Sequence, residues 1–91
     1  MDKYNQAVLK IISEQQLVIG PLAVDLARQT NGVEILAPNN INLIGDPKQV
    51  MASLVATYQL LFGRTSVEVS KSAIKHSGVD FSNEELPEIL R

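Results

Sequence analysis

The sequence predicts a mainly α (α+β) domain: a compact bundle of four to five helices with a small β-hairpin between the second and third. Three observations carry this. Apolar residues recur at spacings of three and four over most of the chain, the mark of helices with one buried face. Helix-starting signatures, a capping residue followed three positions later by Gln or Glu, stand at Asp46, Thr65 and Ser82. One stretch alone, VEILAPNNINL, alternates on either side of turn residues.

The first helix starts at Asp2, a capping residue. Tyr4, Val8, Ile11, Gln15 and Val18 form its apolar stripe, with Ala7, Ile12 and Ile19 alongside, and the same spacing reaches Leu22. Gly20-Pro21 interrupts it. Proline inside a helix loses a hydrogen bond and clashes with the preceding turn, at about 3 kcal/mol. At the first position of a new helix that penalty disappears. The sequence therefore predicts a tight corner at Ile19-Gly20, with Pro21 starting a second helix whose face is Leu22, Ala23, Leu26, Ala27 and Thr30. Asn31-Gly32 ends it.

Val33-Glu34-Ile35 and Ile41-Asn42-Leu43 then alternate around the turn Pro38-Asn39-Asn40. A lone two-stranded hairpin is marginal in water, so it must lie on the helices or pair with another chain. Asp46-Pro47-Lys48-Gln49 starts the third helix. Its wide face is Val50, Met51, Leu54, Val55, Tyr58, Leu61 and Phe62, and Gly63 closes it. A second, narrower stripe of Ala52, Ala56 and Leu60 lies on its far side. Thr65-Ser66-Val67-Glu68 reads as the start of a fourth, serine-rich helix to about Ser77, although Ser66 to Ser70 also alternates as a strand does. Gly78 stops it. Ser82 and Glu85 cap a final turn, with Phe81 and Leu86 at the staple positions and Pro87 limiting its extension. No internal repeat, linker or low-complexity segment stands out, and 91 residues leave room for one core, so the whole of 1–91 is read as a single domain.

Composition narrows the function. The absence of cysteine excludes disulfides and cysteine metal sites and favours a reducing compartment, hence a cytoplasmic location. The start MDKYNQAVLK lacks the charge pattern of a signal peptide, and the longest apolar run, Leu17 to Val24, is far short of the roughly 20 residues of a membrane span. A net charge of −2 and a pI near 5.2 argue against nucleic acid, whose partners are usually basic.

Chemistry finds little to work with. His76 is the single histidine and reads as a solvent-facing residue at a helix end. Glu84, Glu85 and Glu88 are acidic neighbours that a helix start explains by itself. No nucleophile motif accompanies the serines, and Ile44-Gly45-Asp46-Pro47 places a carboxylate where a phosphate loop needs free amides. The expectation is a protein without enzymatic activity, catalytic residues, bound metal or cofactor.

Protein–protein contact is the leading functional expectation, most simply self-association. It rests on the second stripe of the third helix, Ala52, Ala56 and Leu60, on a hairpin too small to stand alone, and on Ile89 and Leu90 at the end of the chain. A helix with two apolar faces is either central in its fold or shared with a partner. Two alternatives follow from other residues. Leu61 to Ser66 has the form of a helix-turn-helix joint, which would present Arg64, Thr65, Ser66, Lys71 and Lys75 to nucleic acid. Tyr4, Tyr58 and Phe62 would bound a small-ligand pocket between the helices.

Overall fold

Asp2 starts the first helix as expected. Its carboxylate accepts from the Asn5 amide at 3.0 Å, satisfying one of the free donors of a helix start. In the computed structural model, which describes residues 2–37 and 40–91, helix α1 runs Lys3–Ile19 and buries Ala7, Val8, Ile11, Ile12 and Gln15. Gly20 turns the corner. Its φ of 70° and ψ of −155° lie in a region open essentially to glycine alone. Pro21 follows with helical angles and leads into α2, Leu22–Gln29. The corner falls where the Gly-Pro pair put it.

Helix α2 buries Ala23, Leu26 and Ala27. After it, Gly32 is fixed for two reasons. Its φ is 91°, and a Cβ there would stand 2.5 Å from the Val50 side chain and 2.8 Å from the Ile44 carbonyl. The hairpin follows, β1 at Val33–Ala37 and β2 at Asn40–Leu43, antiparallel, with Val33 opposite Leu43 and Ile35 opposite Ile41. The expected turn at Pro38 and Asn39 lies outside the described residues. The hairpin rests on the helices: Val33 and Ile41 are buried, and Asn5 Nδ2 donates to the Ile41 carbonyl at 3.3 Å.

Asp46 accepts from the Lys48 amide at 3.1 Å and starts α3, Pro47–Phe62. Helix α4, Arg64–His76, follows Gly63 directly. The capping box expected at Thr65 does not form, because Gly63 ends one helix and begins the next, leaving Thr65 already inside α4. Ser66 to Ser70 is helical. Ser66 and Ser70 face inward, where small side chains let α1 come close. In the tail the reciprocal cap does form: the Ser82 amide donates to Glu85 Oε1 at 3.0 Å, and the Glu85 amide to Ser82 Oγ at 3.3 Å. A 3-10 turn at Glu88–Leu90 completes the chain and seats Leu90 in the core.

The two long helices run in the same direction. Tyr4 at the start of α1 donates to the Glu85 carbonyl (2.7 Å), and Lys48 at the start of α3 donates to the Glu84 carbonyl (2.7 Å), so both begin on the same turn of the tail. Their ends also meet. Gln15 reaches Ser66, and Tyr58 reaches Ala23. The tail therefore occupies one end of the bundle and the Gly20 and Gly63 corners the other, while the hairpin lies along α1 and α2, sharing a groove with Leu9, Ile12 and Gln16.

This arrangement corrects one sequence reading, because the chain does contain an internal repeat. Adding 43 to the buried positions of α1 gives Val50, Met51, Leu54, Val55 and Tyr58, the buried positions of α3. The corners Gln16-Leu17-Val18-Ile19-Gly20 and Gln59-Leu60-Leu61-Phe62-Gly63 match under the same offset. Gly63 adopts φ 76° and ψ −162°, close to the angles of Gly20. Beyond the corners Ala23-Val24-Asp25 pairs with Ser66-Val67-Glu68. After the longer α4, Gly78-Val79-Asp80-Phe81 echoes Gly32-Val33-Glu34-Ile35. Two helix–glycine–helix units thus lie side by side, related by a pseudo-two-fold axis along the bundle.

Candidate interaction surface

The corner end of the bundle carries apolar side chains that the core does not cover. Leu17 is 86% exposed and Leu60, its counterpart, 85%; Val18 is 59% exposed and its counterpart Leu61 56%. Leu22 beside them is also exposed. Ile19 and Phe62, the last residues of α1 and α3, turn inward and pack against the core. Each corner therefore splits its apolar run: one residue anchors the joint and two stay in solvent. Residues 15–23 and 58–63 contain no charged side chain.

Three buried hydrogen bonds, from two side chains, hold the corners together. Gln15 Nε2 donates to the Ser66 carbonyl at 2.8 Å and to Ser70 Oγ at 3.1 Å. Tyr58, at the position equivalent to Gln15, donates its hydroxyl to the Ala23 carbonyl at 2.7 Å, and Ala23 is equivalent to Ser66. Both side chains are fully buried. Burial pushes the Tyr58 phenol well above its ordinary pKa, so it stays a donor. Gln15 Oε1 has no partner among the described residues.

The expected partner residues are only partly brought together. Ala56 and Leu60 are exposed on α3 and Ala52 is half-buried. Ile89 joins Ala52 and Ala56 along a shallow groove with Lys48 and Pro87. Leu90 is absent from this surface, because its own core takes it up. The residues that spacing assigned to the core but solvent receives are Val18, Leu22 and Leu61. Spacing assigns Leu17 to no helix face. The match between the two corner sequences marks Leu17, Val18 and Leu61; Leu22, whose counterpart is Thr65, lies outside it.

No protein-family model matches the sequence, and comparison with curated proteins and with solved structures finds none similar to it.

The other candidate sites fare differently. Arg64, Thr65 and Lys75 are exposed, but Ser66 is buried and its carbonyl is occupied by Gln15 and Ser70. Lys71 and Lys75 line a groove between α4 and the tail in company with Glu68 and Asp80, so its charge is mixed. Tyr4, Tyr58 and Phe62 do not face a common space. Tyr4 packs edge-on against Phe81, with ring centroids 5.2 Å apart, while Tyr58 is spent on Ala23. His76 is exposed, with Nδ1 3.1 Å from Glu14 Oε2. Glu85 pairs with Lys3, and this bond, followed by the Ser82 amide, holds its carboxyl below the ordinary range. Among the described residues no three His, Asp or Glu side chains stand where they could hold a metal ion, and no helix is long and apolar enough to cross a membrane.

Proposed function

We propose that the chain is a non-enzymatic protein–protein interaction module of the adaptor or regulatory kind, and that it associates with a copy of itself in the cytoplasm. One observation carries the reading. Of the seven large apolar side chains exposed among the described residues, five stand at the corner end: Leu17, Val18, Leu22, Leu60 and Leu61. Scattered exposed leucines need no explanation, whereas a cluster at one end marks a contact site. The lack of cysteine fits a reducing compartment. Nucleic-acid binding through the Gly63 joint is the lesser reading, since Glu68 and the buried Ser66 stand where a reading helix needs accessible donors.

Sedimentation velocity on the full chain, from low to high micromolar, tests self-association. A sedimentation coefficient that rises with concentration to the dimer value is expected. A strict monomer throughout would sink the proposal.

A further inference from the structure

The repeat says more about this surface than exposure does. We infer that two copies meet end to end through their corners, with Leu17-Val18 and Leu60-Leu61 as two equivalent half-sites on each. This inference rests on the self-association proposed above and names its surface and geometry.

Four observations argue for a second copy as the occupant. First, the pseudo-two-fold axis runs along the bundle and emerges through the corner end, so that face carries the same pair of apolar residues on either side of the axis. A face of this kind matches itself: turned over onto its own copy, each half-site meets a half-site of the same chemistry. This is the isologous contact of a two-fold dimer. Second, within residues 15–23 and the equivalent 58–66 the one charged side chain is Arg64, so stacking two copies brings together a single cation from each rather than opposed clusters of charge.

Third, the five side chains offer on the order of 500 Å² of apolar surface per copy, within the range of functional patches. Two such faces reach about 1,000 Å², the lower bound for a specific protein–protein contact. Fourth, the corners are stiff. Two glycines in a restricted conformation and the buried Gln15 and Tyr58 bonds hold the leucines in place, so little ordering is lost on docking. The stripe Ala52, Ala56 offers smaller side chains in a groove shared with Lys48 and Arg91, and lacks this two-fold character.

The experiment is sedimentation equilibrium on the full-length chain and on Leu17→Glu, Leu60→Glu and Ala56→Glu. All three positions are exposed, and the thermal midpoint of each variant is recorded to confirm folding. Leu17→Glu and Leu60→Glu are each expected to raise the dimer Kd at least about tenfold and by similar factors, while Ala56→Glu leaves it unchanged. Hydrogen exchange then shows added protection at residues 16–22 and 59–64 as concentration rises. If Ala56→Glu and Leu60→Glu separate the copies and Leu17→Glu does not, the dimer uses the α3 stripe of Ala52, Ala56 and Leu60; the end-to-end contact falls and self-association stands. An effect at one leucine alone overturns the equivalence of the half-sites. A monomeric parent chain overturns both proposals.

Discussion

Gln15 and Tyr58 hold the same place in the two halves of the chain, and each sends its hydrogen bond to the matching carbonyl of the other half, Ser66 and Ala23. The pair ties the two helix–glycine–helix units across the pseudo-two-fold axis. The chemistry differs while the role is the same: an amide does on one side what a phenol does on the other. Tyr58 leaves no polar atom unpaired, whereas Gln15 leaves Oε1 without a partner.

That asymmetry sets opposite expectations for the two side chains. Tyr58→Phe removes one buried hydrogen bond and no packing, and is expected to lower stability by about 1 kcal/mol. Gln15→Met also loses bonds to Ser66 and Ser70, but it removes the orphaned oxygen, and Ser70 still donates to the Ser66 carbonyl at 2.9 Å. It is expected to cost less than about 0.5 kcal/mol, or to stabilise. Urea titrations of the two variants decide the order; a larger loss for Gln15→Met contradicts it.

Tyr58 also gives the fold an alkaline limit. Burial raises its pKa, so the folded chain keeps a proton that the unfolded chain releases above about pH 10. The stability that this retained proton lends is complete below about pH 10 and falls as pH rises beyond it. The parent chain should therefore lose melting temperature between neutral pH and pH 11 more steeply than Tyr58→Phe.

The glycines separate backbone strain from crowding. Gly20 and Gly63 face open space, so alanine at either meets only the cost of a glycine-type backbone, about 1–3 kcal/mol, and nearly the same at both. Gly32→Ala adds a collision with Val50 and the Ile44 carbonyl. Its loss should be the largest of the three in thermal unfolding. Equal losses at all three positions would show that the Val50 side chain yields freely.

Acid should act through the tail. Lys3 and the Ser82 amide lower the Glu85 pKa, so its contribution is present above the ordinary carboxylate range and is lost as pH falls through the folded value. Parent and Glu85→Gln are expected to differ in melting temperature at pH 7 and to converge well below pH 4. A gap that persists in acid would mean the carboxylate charge is not what matters.

Much of this architecture was legible in the residues. Asp2, Asp46 and the Ser82–Glu85 pair mark helix and turn starts by local chemistry, which needs no knowledge of the rest of the chain. Gly20-Pro21 marked its corner for the same reason. Helical spacing did less well at the helix ends. It shows which side of α1 holds Val18, but not that no neighbour extends far enough to cover it. Thr65 misled because the Gly63 corner takes the place of a cap. The repeat is faint in the sequence because what the two halves share is burial and size, as in Ala23 and Ser66 or Gln15 and Tyr58, while few residues are identical. The hairpin in only one half interrupts the match further.

One consequence of the paired corners reaches beyond packing. The molecule carries two working versions of a single joint, one with Pro21-Leu22 after the glycine and one with Arg64-Thr65. Each is the other's reference state within one chain, under the same solvent, temperature and concentration. Exchanging residues 16–22 with 59–65 transplants a joint already proven in an equivalent setting. Any change in folding or assembly would then measure what the differences between the two joints do, free of the uncertainty that comes with comparing separate proteins.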